Sequence, residues 1–151
     1  MESVFLLYDA TVVAHGAGLR LGAIHGDINC TNLLVADDNS LGLVDYGDLT
    51  QSWLVSEPAI TAAYFVMGCG DVATALERAM AVKYGYEQVA TLTPDEQASY
   101  VPFVFCRIAQ SVLQGAYQTL FHPENAAYLL ETQRKGWAAL ELMEGVMAAI
   151  A

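Results

Sequence analysis

The sequence predicts an α+β fold, a short β-hairpin in front of a mostly helical body, and three observations predict it. The apolar runs LLVA and LGLVDY are separated by Asp37, Asp38, Asn39 and Ser40, all turn formers, which reads as a hairpin. The remainder of the chain carries apolar residues at helical spacing with recognisable start signals. A length of 151 residues with 55% hydrophobic content is enough to build a sizeable core.

Taken in order, residues 3 to 15 fit a short helix ending near Gly16 and Gly18, and LGAIHGD then forms a brief apolar approach to a polar cluster. After the hairpin, helix is expected from Gln51 onward, with Pro58 at a first helical position, until GCGD breaks it. Asp71 caps the next helix, which runs to about Lys83. In TLTPDEQ, Thr93 and Glu96 have capping-box spacing and Pro94 falls at the first helical position. Pro102, which lacks an N–H, is expected to kink or restart that helix. Val104 to Phe121 is apolar on most sides, which suits the middle of a bundle, and HPEN starts a last helix toward Ile150. Residues 1 to 151 read as a single domain without repeat or linker.

Charge and cysteine usage narrow the function classes. Six basic against 17 acidic residues give a net charge of −11, which repels phosphate backbones and anionic lipid, so neither nucleic acid nor membrane is an expected partner. The longest apolar stretch, PAITAAYFVMGCG, falls short of the ~18 residues of a membrane span. Cys30, Cys69 and Cys106 form no CxxC pair and are odd in number, which points away from disulfide and zinc scaffolds and toward a reducing cytoplasm.

The chemistry concentrates in HGDINCTN, residues 25 to 32, and in LVDYGD one hairpin later. Asp27 and Asn32, with Asp45, would bring oxygen donors together at the ends of adjacent strands. Hard oxygen donors in that number suit magnesium, which keeps waters and substrate phosphates in its shell. One carboxylate is left to accept a proton from an attacking hydroxyl. Phosphoryl transfer needs that pairing of positioning and charge neutralisation.

HGDINCTN resembles the HGDxxxxN catalytic loop of the aminoglycoside phosphotransferase and choline kinase family, whose fold is protein-kinase-like, and LVDYGD resembles its metal-binding segment. VDYGDLTQSWLVSEPAITAAY and FCRIAQSVLQGAYQTLFHPENAAYLLETQRKGWAAL look like the hydroxylysine-kinase-like subgroup and the related kinase-like domain fused to some phospho-lyases. The resemblance implies a catalytic carboxylate at Asp27 that orients or deprotonates the acceptor hydroxyl. It implies that Asn32 and Asp45 hold Mg2+ against the phosphates of ATP or GTP. His25 would brace the catalytic loop, and Glu57 would tie the metal segment to the following helix. Asp48 would orient the metal ligands, contact a substrate amine or cap its loop, and Asn29 would satisfy the loop backbone. The aromatic residues Tyr64, Phe65, Tyr117, Phe121 and Tyr128 read as core.

Kinases of this kind also have an N-terminal lobe, with a loop over the phosphates, a strand lysine and a helix glutamate. Only 24 residues precede HGD, and the two lysines, Lys83 and Lys135, fall on the helical side. GAGLRLG, residues 16 to 22, fits neither a strand-loop-strand nor a Walker pattern. The expectation is a C-terminal catalytic lobe, truncated relative to the family, with its apolar lobe face open to self-association. Two functions follow. One is transfer of a γ-phosphate to a hydroxyl of an amino alcohol or hydroxylated amino acid such as 5-hydroxylysine. The other is a non-catalytic remnant, serving as a scaffold or as partner of a separate N-lobe.

Overall fold

Two antiparallel strand pairs, not one, stand in front of the helices. The computed structural model describes residues 1–150, with the side chains of residues 125, 128, 132 and 148–150 outside the description. Helix α1, Glu2–His15, is followed by strand β1, Leu21–Ile24. Strands β2, Leu33–Val35, and β3, Leu41–Leu43, form the expected hairpin, with Leu33 opposite Leu43 and Val35 opposite Leu41. Asn39 supplies its turn at φ 63, a left-handed conformation that asparagine tolerates.

The expected helix from Gln51 is corrected. Thr50–Trp53 is strand β4, pairing antiparallel with β1, Leu21 opposite Trp53 and Ile24 opposite Thr50. Its partner lies some thirty residues back, and only the folded chain brings that ladder together. Helix α2 then spans Ser56–Val66, so Pro58 falls inside its first turn, where a missing N–H costs no helical bond.

Helix α3 covers Val72–Glu87, with the Asp71 side chain accepting from the Thr74 amide at 2.8 Å. Helix α4, Pro94–Phe121, begins with the full capping box: the Glu96 amide donates to Thr93 Oγ1 and the Thr93 amide to Glu96 Oε2. The same Glu96, fully buried, takes Arg20 Nε at 2.9 Å and Nη2 at 2.6 Å, fastening the entry to β1 onto the start of α4. Burial pushes the Glu96 carboxyl up, but the Arg20 hydrogen bonds and the Thr93 amide outweigh it and hold it below the usual carboxylate range.

Of the kink or restart expected at Pro102, the restart is corrected, for α4 is one helix through it. Tyr100 to Phe105 are buried without exception, and α1, α2 and α5, Ala126–Ile150, all pack on α4. Tertiary packing of that kind outweighs one missing backbone bond. The core joins Val55, Ala59, Ala63 and Val66 to Val104, Ile108 and Val112, with Ala139, Met143 and Val146 from α5. Toward its end α4 leaves the core: Tyr117 and Phe121, expected inside, are exposed and pack against each other, centroids 4.7 Å apart and planes tilted by 46°. Tyr128 lies outside the described side chains.

Candidate active site

The polar cluster begins where β1 ends. Gly26 has φ 82, and a Cβ there would lie 3.0 Å from the Asp48 carbonyl, so the close approach of the two loops requires glycine. Glu57, in the first turn of α2, accepts from the His25 and Gly26 amides and so anchors this loop. Glu57 was expected to tie the metal segment to the following helix, whereas these bonds run to the loop that carries Asp27. The buried His25 ring accepts from the Asp27 amide at Nδ1, 3.3 Å, which leaves the proton on Nε2 to donate to the Val44 carbonyl at 3.0 Å. One imidazole thus links the loop after β1 to the strand end after β3.

Asp27 is the most heavily engaged carboxylate in the cluster. Its Oδ2 accepts from the amides of Asn29 at 3.0 Å and Asn32 at 3.1 Å. Its Oδ1 accepts from Arg107 Nη2 at 3.0 Å and from the Tyr64 hydroxyl. Arg107 Nη2 also donates to Tyr64 Oη at 2.7 Å, and the guanidinium lies 5.4 Å from the Tyr64 ring centre. Burial, reinforced by the hydrogen bond to Asp27, pushes the Tyr64 hydroxyl up despite the neighbouring Arg107, so it stays a donor.

Asn32 and Asp45 are neighbours because the hairpin ladder continues past β2 and β3: the Val44 amide donates to the Asn32 carbonyl at 3.0 Å. Asn32 is buried and points its amide nitrogen at Asp27, which leaves its side-chain oxygen to accept from, or ligate, other partners. Asp45 is exposed at φ 62, an unusual backbone state for a residue with a side chain, and accepts from the Gly47 amide at 3.4 Å. Asn29 organises the loop further, taking the Thr31 amide and hydroxyl on its oxygen. Asp48, on the short turn after Asp45, lines the cleft with Asp27.

That cleft measures about 840 Å³ and is lined by Gly26, Asp27, Asp48, Ser52, Trp53, Tyr64, Arg107, Gln110 and Gln114 among others. Two of its residues were not among those expected at the site. Tyr64, read as core, is half-buried with its hydroxyl on Asp27, and nothing in the run AITAAYFV distinguishes it from its apolar neighbours. Arg107 had a signal: a lone arginine within VPFVFCRIAQ must meet an opposite charge if the helix is buried.

Residues 2–92 match the profile of the family described as the phosphotransferase enzyme family. Hydroxylysine kinase from Bos taurus is 30% identical over 95% of this chain and 40% of its own length. That from Xenopus laevis is 29% identical over 95% of this chain and 40% of its own. The Danio rerio protein of the same name is 35% identical over 74% of this chain and 32% of its own. The chain therefore spans about 40% of the length of the curated relatives it matches. No solved structure matches it.

Proposed function

Because the chain belongs to the phosphotransferase enzyme family, we propose that it is the catalytic lobe of a small-molecule kinase, passing the γ-phosphate of ATP or GTP to a hydroxyl of a hydroxylysine-like acceptor. The observation that carries this reading is the Asp27 carboxylate, held by four side-chain donors, Asn32 among them, at a cleft of about 840 Å³. In this reading the acceptor hydroxyl lies against Asp27, which orients it and takes its proton as the oxygen–phosphorus bond forms and the bond to the β-phosphate bridging oxygen breaks. His25, Glu57 and Asn29 hold the loop that carries Asp27, and because four donors fill the lone-pair sites of its carboxylate, the acceptor hydroxyl binds by taking the place of one of them.

Magnesium, when bound, neutralises charge on the phosphates; Asn32 Oδ1 and the Asp45 carboxylate would hold it. Among the described residues no three His, Cys, Asp or Glu side chains converge on a metal. One amide and one carboxylate, completed by water and phosphate oxygens, are the donor set of a magnesium that serves nucleotide. Leu34, Val35 and Leu41 on the hairpin are exposed, and we assign this apolar face to a nucleotide-covering lobe or to a second copy of the chain. No helix among the described residues is long and apolar enough to cross a membrane.

Calorimetric titration with Mg·ATP and Mg·GTP tests the reading. Saturable binding that disappears in Asp45→Ala is expected, and in any preparation that turns over, Asp27→Asn should lower kcat by about 10²–10⁴-fold. Activity indifferent to Asp27→Asn would instead favour the scaffold reading.

A further inference from the structure

Resting on that reading, we propose that Arg107 receives the carboxylate of the acceptor, which makes the substrate a hydroxylated amino acid rather than an amino alcohol. Arg107 is the one cation lining the cleft among the described residues, in a chain of net charge −11. An acceptor with a carboxylate would otherwise meet Asp27 and Asp48 unopposed. A guanidinium has five N–H donors. Nη2 spends its two on Asp27 and Tyr64, and Nη1 gives one to Gln110 Oε1 at 3.2 Å. The Nε donor is buried without a partner, and bracing Asp27 uses Nη2 alone.

Gln110 marks the receptor position. It is exposed, one turn along α4, and its neutral side-chain oxygen occupies a place on Nη1 that a carboxylate oxygen would take with the added strength of a charge-assisted bond. Gln110 and Gln114 both line the cleft and can swing aside or bind the remaining carboxylate oxygen. Because Arg107 Nη2 lies 3.0 Å from Asp27, one acceptor can set its hydroxyl at Asp27 and its carboxylate at the far end of the guanidinium together. Asp48, which also lines the cleft, is available to an ammonium group.

The test compares 5-hydroxylysine with its decarboxylated diamine in calorimetric titrations of the whole chain, wild type, Arg107→Gln and Arg107→Lys, with Mg·ATP binding measured alongside. The wild type should bind the amino acid on the order of tenfold tighter than the diamine. Arg107→Gln should remove that preference by weakening the amino acid alone, and Arg107→Lys should restore part of it. Equal affinity of the wild type for both ligands overturns the proposal, and that comparison needs no variant to fold. Equal weakening of both ligands in a folded Arg107→Gln also overturns it, since Arg107 would then only brace Asp27. If neither acceptor binds, the proposal falls; retained Mg·nucleotide binding leaves the kinase reading standing, and its loss takes that reading down too.

Discussion

Tyr64 shows how much of the site depends on single atoms. Its hydroxyl both donates to Asp27 and accepts from Arg107, so Tyr64→Phe removes one donor from the carboxylate and one acceptor from the guanidinium. Groups left short of partners in a partly buried setting cost about 1–2 kcal/mol, and a thermal melt should show the variant a few degrees less stable with its fold intact. Thiol reactivity separates the cysteines in the same way. Cys30 is exposed, whereas burial pushes the Cys106 thiol up to about 11 and raises that of Cys69. Iodoacetamide at mildly alkaline pH should therefore alkylate Cys30 well before either of the others, as peptide mass mapping would record. His25, Asp27 and Asn32 were legible in the order of residues because loop chemistry demands them at close spacing. Tyr64 was not, because a tyrosine in an apolar helix looks the same whether its hydroxyl meets a carboxylate or water.

At the scale of elements, the crossing of α4 and α5 depends on a missing methyl. A Cβ at Gly136 would lie 2.5 Å from Val112 Cγ2, closer than any real contact, whereas one at Gly85 in α3 meets nothing. Gly136→Ala should cost about 1–3 kcal/mol by forcing the helices apart. Gly85→Ala should be neutral or stabilising by about 0.5–1 kcal/mol, since alanine loses less backbone entropy on folding. Paired denaturant melts distinguish the two. The caps were readable in advance: Asp71 and the Thr93–Glu96 box stand where their local spacing put them. Strand β4 was not, because TQSW has no pattern of its own and becomes a strand by pairing with β1.

For the whole molecule, Glu96 joins the two halves, holding Arg20 before β1 while capping α4. Its carboxyl lies below the ordinary value in the folded chain, so the stability it lends is present above the unfolded value near ~4.3 and fades as pH falls through the folded one. Melting temperature should fall as pH drops from about 5 toward about 3, and Glu96→Gln should start lower and flatten that part of the curve. A Glu96→Gln curve parallel to the wild type would remove Glu96 from the account.

Local sequence settles the chain's class, the capped starts of α3 and α4 and the identity of its polar loop. Caps, turns and the HGDINCTN spacing act over a few residues, where propensity and geometry are local. Packing in the folded chain is what brings Arg107, 80 positions along the chain, onto Asp27, continues α4 through Pro102 and makes Thr50–Trp53 a second ladder. Each is a contact between segments far apart in sequence, and a buried charge or an unpaired strand finds its partner only when packing brings the two together.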